Sequence, residues 1–420
     1  MKRPSKSILD DRSTLVEDLE QGAPASRVWL YLVALFVTLA TLAAYQPTLF
    51  NFFNADDFVL LNWLKAASKD HSLVWQEFGR PWLGLMSNYY RPLVNMVLAA
   101  EYSIWGTNGL YFRLANILCE LFTSLVIGLI VYELSGSNRQ ANSERLRLTW
   151  SIAAAALFAL YPLHCEPINW VVSQLEVMVT LFGLFSLWCY MRWRRSNQKR
   201  FLISGLSSLI FAFLSKEMAV VLPLIMFIYE FLLVDRNGTE EGTRGVRSVA
   251  SQAGKALIQT LPFWLILAAY LALRKVVLGQ IFGSVGATAL FGPAQVFHAS
   301  LHSLWKTFVP INQSALSLLS PAAILWQVFI AAFFGMSVYK FRASADKSLA
   351  MFLLAWMICA IAPIYSVFLI DSNLQRARLA YMATVPICIM LTYGISAFCS
   401  NPKACPLRQK HFPRTCTGRF

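Results

Sequence analysis

Charge is scarce in this chain. Asp, Glu, Lys and Arg make up 14% of its 420 residues, where soluble domains carry about a quarter. With 57% apolar residues, the shortage excludes a disordered chain and a single soluble domain. Metal-site spacing is lacking too. Eight cysteines are present without a C-x-x-C, and Cys119, Cys189, Cys359, Cys388 and Cys399 sit in apolar runs as small buried thiols. A disulfide-stapled secreted module is excluded as well. There is no G-x-x-x-x-G-K-S/T loop for nucleotide phosphates, no internal repeat of roughly 20–50 residues, and no convincing cleavage site after the first apolar run. The net charge of +14 invites a nucleic-acid reading. In a membrane protein, however, cations record orientation, so no nucleic-acid partner is expected.

What is there is a series of apolar runs, each near the roughly 20 residues that a bilayer requires. The expected fold is all-α, a polytopic bundle of about ten spans: residues 28–50, 110–133, 148–163, 177–191, 201–215, 218–234, 256–278, 322–339, 349–370 and 379–399. Ten spans put both termini on one side. Most of the 36 Lys and Arg then fall in the tails and in alternate loops, which marks that side as cytosolic. The stretch 293–310 carries His298, His302 and Lys306 and reads as an interfacial or re-entrant helix; as a crossing it would invert every later loop. The chain thus divides into a cytosolic tail (1–27), a membrane domain (28–399) and a basic cytosolic tail (400–420). One external connection, 51–109, is too long for a turn. Within it, 58–67 and 92–105 have the spacing of amphipathic helices lying on the outer membrane surface.

Polar residues at the external boundary are the candidates for chemistry. The first span runs into Asn54-Ala55-Asp56-Asp57-Phe58, and two adjacent carboxylates there need solvent, a partner or a cation. They either cap the next helix or supply a general base, with a divalent cation left open. In Asn88-Tyr89-Tyr90-Arg91-Pro92-Leu93 the proline suits a first helical position. Arg91 with that helix's amides makes a phosphate cradle or, alternatively, an interfacial anchor. The link 162–170 has no Lys or Arg. His164 and Glu166, with Glu176 beyond, suit substrate orientation better than a two-ligand metal site. Lys216 and Glu217 sit between two apolar helices, as a neutralised pin or as a cavity lining. Arg274, Arg376 and Arg378 are external cations, against the orientation rule, and phosphate on a membrane-borne ligand gives them a reason.

Five motifs occur together and in order: the acidic pair, an aromatic–Arg–Pro–Leu helix start, a Tyr-Pro-Leu-His-Cys-Glu link, a Ser-Lys-Glu junction, and Arg376-Ala377-Arg378-Leu379-Ala380-Tyr381. The set resembles the GT-C superfamily of integral-membrane glycosyltransferases over residues 28–399, nearest its protein O-mannosyltransferase-like branch, here without tetratricopeptide repeats. The resemblance implies a GT-C-like bundle, a polyprenyl-phosphate-linked sugar donor, inversion at the anomeric carbon, and chemistry on the external or lumenal face. By that resemblance Asp57, or its neighbour Asp56, activates the acceptor hydroxyl, and any metal falls to the same two residues. Arg91, Arg274, Arg376 and Arg378 hold the donor phosphate. His164, Glu166, Glu176, Lys216, Glu217 and Tyr90 orient sugar or acceptor. The implied partners are a lipid-linked sugar donor, a protein or glycan acceptor, and membrane lipids. All these residues are expected to converge in one pocket at the non-cytosolic leaflet. A bacterial inner membrane is the expected setting, with the endoplasmic reticulum as the alternative.

Two other functions compete. A transporter or flippase for a lipid-linked or small anionic substrate needs ionisable groups at the midplane and internal symmetry. Glu120 lies inside a span, but no repeated half is visible. A noncatalytic scaffold would be favoured if the acidic pair faced away from any cavity.

Overall fold

Hydrocarbon leaves an open chain one answer, the helix, which satisfies each backbone N–H and C=O within its own segment. The computed structural model describes residues 24–85, 87–136, 144–234, 246–281, 293–315, 317–343 and 347–400. Nearly all of both polar tails therefore lies outside the described residues. The first apolar run forms α1 (Pro24–Tyr45), and the long connection after it holds α2 (Asp57–Ala67), α3 (Ser72–Gln76) and α4 (Pro92–Trp105). Then come α5 (Gly109–Gly136), α6 (Glu144–Ala159), the short α7 (Cys165–Asn169), α8 (Gln174–Ser196), α9 (Lys199–Ser215) and α10 (Leu222–Tyr229). The remainder is α11 (Val246–Leu278), α12 (Pro293–Phe308), α13 (Pro321–Ala343), α14 (Lys347–Ile361) and α15 (Thr384–Ser400). Among the described residues there is no strand.

Eight segments are long and apolar enough to cross a bilayer, and a ninth is the pair Leu146–Ala159 and Pro162–Asn169, bent by 44°. Two of the ten expected spans are thereby adjusted. The run 148–163 is helical only to Ala159; the chain bends before Pro162, whose ring removes a backbone donor. The run 201–215 becomes α9, 17 residues and so about 25 Å long, at the short end of a span. Its packing still carries it through the depth of α8. The Ser186 hydroxyl donates to the Gly205 carbonyl and that of Ser208 to the Phe182 carbonyl, 2.7 Å each, while Lys216 reaches Glu176. These pairs trace an antiparallel register along both helices.

The bundle has two poles. At one, three arginines in the last turns of α8 close on buried carboxylates: Arg192 and Arg195 on Glu133 (3.0 and 2.8 Å), and Arg194 on Glu230 (2.6 Å). The other pole carries Asp57. There α2 and α4 are packed rather than laid free on a surface. Leu60, Trp63 and Leu64 form a small core with Leu93, Val94 and Leu98 of α4, with Val171 and Val172 just before α8, and with Leu175 in its first turn. One close approach depends on glycine. A Cβ at Gly394 would run into the Phe333 carbonyl oxygen and Ser337 Oγ, so glycine lets α15 lie directly against α13.

Helix α12 departs from the expected interfacial helix in the direction of its polar face. An interfacial helix turns its polar face to water. Here Phe297, Leu301 and Trp305 are exposed, while Ser300, Ser303, Lys306 and Thr307 are buried toward the bundle. Ser303 Oγ accepts the Ile370 N–H (2.8 Å), Lys306 Nζ donates to the Ile370 carbonyl (2.9 Å), and the Tyr161 hydroxyl donates to the Thr307 carbonyl (2.5 Å). Gln280, past α11, meets Asn88, and the Gln313 N–H, past α12, donates to the Ser372 carbonyl. The helix thus turns its apolar face outward and its polar face into the bundle.

Candidate functional site

The Asp57 pole is organised by residues 162–176. Pro162 and Pro167 deny this stretch one continuous helix, so it folds as a 3-10 turn (Pro162–His164), α7, a second 3-10 turn (Val171–Ser173) and the first turn of α8. The breaks aim its polar groups at different neighbours. Glu166 meets residues 376–378, Trp170 meets Asn54 and Arg378, the Val172 N–H meets Asp57, Gln174 meets Glu101, and Glu176 meets Lys216.

A cavity of about 770 Å3 opens here, lined by residues that include Asn54, Ala55, Glu166, Asn169, Trp170, Arg376 and Arg378. Glu166 accepts the backbone N–H groups of Arg376 (3.1 Å) and Arg378 (2.9 Å), and Nη1 of Arg378 (2.5 Å). The Arg378 guanidinium lies 4.1 Å from the centre of the Trp170 ring, a cation–π contact. Leu374 and Arg376 adopt φ of 64° and 67°, a left-handed conformation that costs a non-glycine residue about 1–3 kcal/mol. The two amides on Glu166 offset that cost and hold the loop. The Arg376 side chain is half exposed, and its nearest carboxylate, Asp371, is 4.0 Å away. Of the expected site residues, Glu166, Arg376 and Arg378 thus come together.

The acidic pair splits. Asp56 is exposed and follows the lining residues Asn54 and Ala55 in sequence, without itself lining the cavity. Asp57 is buried: Oδ2 accepts the Asn54 N–H (3.0 Å) and Oδ1 the Val172 N–H (2.9 Å). Burial raises its carboxyl above the usual range, opposed by those two amides and by Arg113. Arg113, which the sequence reading passed over, is also buried. Its Nε donates to the Asn169 carbonyl and its Nη2 to the Phe52 carbonyl, 2.9 Å each. The signal for it was a cation in the first turn of a span.

A second set gathers apart from the cavity. Arg91 binds Glu217 through two nitrogens (2.8 and 3.4 Å) and lies 4.2 Å from the Tyr89 ring centre. Lys216 pairs with Glu176. Burial works against the charged Arg91, but Glu217 outweighs it and holds the guanidinium above its ordinary range. Arg274 donates to the Asn88 carbonyl (2.6 Å). The Tyr90 hydroxyl donates to the Phe78 carbonyl (2.9 Å), and burial pushes it up to about 12. His164 belongs to neither set; it is buried, with Nδ1 2.7 Å from Glu120 and Nε2 2.9 Å from Thr384. The single expected pocket is therefore corrected to a cavity, a neutralised cluster and an internal histidine. The reason is that buried charges of opposite sign satisfy one another, since an unpaired buried charge is far costlier. Among the described residues, no three His, Cys, Asp or Glu side chains gather for a metal.

Glu101 on α4 gives this pole a pH dependence. It is buried, Gln174 donates to its Oε1 (2.7 Å), and desolvation pushes its carboxyl up to about 7. A raised folded-state value means that the unfolded chain ionises first. Stability therefore falls as pH rises from about 4.5 to about 7 and then levels, by up to about 3 kcal/mol. Glu101→Gln is expected to flatten that slope and to raise the melting temperature at about pH 8. Thermal unfolding of both proteins across that range checks it, and parallel slopes would remove the assignment.

Comparison with known proteins adds a direction. No family model matches the chain. It is 28% identical over 143 residues to a protein O-mannosyl-transferase of Caenorhabditis elegans, which is 34% of this chain and 19% of that protein. It is 32% identical over 108 residues to the protein O-mannosyl-transferase tmtc2 of Xenopus laevis (24% and 11%). To the protein O-mannosyl-transferase TMTC2 of Homo sapiens it is 27% identical over 153 residues (35% and 17%). The matches thus span less than a fifth of each relative's length. These relatives come from a nematode, a frog and a human, so the expectation of a bacterial inner membrane is not borne out; in sequence, this chain is similar in part to animal protein O-mannosyl-transferases.

Proposed function

We propose that this chain is a GT-C-type membrane glycosyltransferase that moves a mannosyl-type sugar from a polyprenyl-phosphate donor to an acceptor hydroxyl, with inversion, at the non-cytosolic face. The observation that carries the reading is the cavity at the Asp57 pole, whose polar lining includes the half-exposed Arg376, with the exposed Asp56 next in sequence to the lining residues Asn54 and Ala55. The names of the relatives supply the sugar and a protein as acceptor. Arg376 is loosely engaged and free to meet a phosphate, whose charge grows as the sugar leaves. Asp56 takes the proton of the incoming hydroxyl. Glu166 and Arg378 position Arg376, since the Glu166 oxygens are already committed to that loop. The arginine-rich opposite pole supports a cytosolic assignment for that end. The animal relatives turn the setting toward the endoplasmic reticulum, the alternative left open by the sequence.

The test is donor consumption. The full chain in lipid nanodiscs is given polyprenyl-phosphate mannose and a hydroxyl-bearing peptide, with and without chelator. Loss of lipid-linked sugar and its appearance on the peptide are expected, and Arg376→Ala should raise the donor KM more than it alters the acceptor KM. A folded chain that leaves the donor intact, chelated or not, would overturn the reading.

A further inference from the structure

Two carboxamides that line the cavity, Asn312 and Asn373, have no role in the proposed transfer. They come from different loops, Asn312 after α12 and Asn373 between α14 and α15. The Gln313 N–H donates to the Ser372 carbonyl at 2.9 Å, a backbone bond between their immediate neighbours that sets the two side by side. Each closes the same small turn. Asn312 Oδ1 accepts the Ser314 N–H (3.0 Å), and Asn373 Oδ1 accepts the Gln375 N–H (3.1 Å). A backbone N–H can only donate, so these bonds fix which end of each amide is the oxygen. With that oxygen held at its own backbone, each side chain meets a ligand with its Nδ2 group and two protons.

The rest of the wall leans the same way. The Glu166 carboxylate is filled by three donors from Arg376 and Arg378. The carbonyls of Asn54, Asn169, Asn312, Leu374 and Gln375 each accept from another part of the chain. Arg376 adds a half-exposed guanidinium, which has donors only. The cavity thus offers more hydrogen-bond donors than acceptors. A sugar hydroxyl both gives and takes a proton, and a donor-rich wall leaves its own proton without a partner. A phosphate only accepts, but its charge belongs with Arg376. A peptide carbonyl only accepts and is neutral, which suits two uncharged amides. In a helix those carbonyls are spent within the segment, so the fitting peptide is an extended one.

We infer that Asn312 and Asn373 form a subsite for an extended peptide, holding its backbone carbonyl oxygens through their Nδ2–H groups while Arg376 is left for phosphate. That this peptide carries the receiving hydroxyl rests on the proposed transfer; the binding itself does not. Carbonyls are common to all residues, so the subsite accepts many sequences.

Binding is measured with no sugar donor present. The full chain in nanodiscs is titrated into a fluorescein-labelled, short, uncharged peptide of glycine and serine, and anisotropy is followed. Asn312→Asp/Asn373→Asp keeps both turns, because a carboxylate accepts the same N–H groups, but it has no proton to give. Affinity should fall about tenfold or more. Asn312→Ser/Asn373→Ser, whose hydroxyls can close the turns and still donate, should recover most of that loss. Thermal unfolding should be alike in all three proteins, which separates lost binding from lost folding. An unaltered chain that does not bind the peptide overturns the inference, and so does an aspartate variant that binds it as well. Tighter binding of a neutral oligosaccharide, competed against the peptide, overturns it too. A peptide that binds as expected yet receives no sugar removes the transfer reading and leaves the subsite standing.

Discussion

Glu176→Ala is expected to be the most damaging single substitution at the Asp57 pole, costing about 3–5 kcal/mol, the usual penalty when one member of a buried ion pair is removed. Its partner Lys216 is buried at the junction of α9 and the turn leading to α10, and α8 contributes the carboxylate. With Glu176 gone, Lys216 is left between Arg91 and Glu217, and Glu217 is already held by Arg91 through two nitrogens. A loss of that size is a large part of the roughly 5–15 kcal/mol that holds a folded domain together. The yield of monodisperse protein in detergent should collapse. Glu176→Gln/Lys216→Met, which removes both charges at similar volume, should restore most of it. If the single variant melts like the parent, the pair is not a pin. Glu217→Ala should cost less, because Glu217 is the more exposed carboxylate of the two.

The second large effect separates two adjacent carboxylates. Asp56→Asn should leave thermal unfolding unchanged and lower the transfer rate by about 10²–10⁴, the typical contribution of a general base. Asp57→Asn should behave in the opposite way. An amide offers one acceptor where the carboxylate offers two, so either the Asn54 or the Val172 N–H loses its partner, at about 1–3 kcal/mol. The fraction that folds should still transfer. Rates normalised to folded protein decide between them. An inactive but fully folded Asp57→Asn beside an active Asp56→Asn would exchange the two roles.

The comparison of sequence with structure is instructive at particular residues. Apolar runs were enough for the helical bundle, because span length is a one-dimensional property. The bend at Pro162 and the short α9 were less visible, since a hydropathy run does not say where the backbone turns. At the Asp57 pole, composition picked out polar residues but not their partners. Asp57 and Asp56 are adjacent and chemically identical, yet one is sealed by two amides and the other is open. Arg91 and Glu217 are 126 positions apart, and no local pattern announces that they neutralise each other. Glu120 was visible as a charge inside a span. Its partnership with His164 was not, because it depends on how α5, the Pro162 turn and α15 meet.

The reach of the Glu166 contacts bears on biosynthesis. Its amide donors lie 210 and 212 positions downstream, and at about 5–20 residues per second a ribosome takes roughly 10–40 seconds to deliver them. Throughout that interval Glu166 lacks these donors and has water in their place. Truncation just before Asp371 should strand the protein in that waiting state, and quality-control machinery would treat it as unfinished.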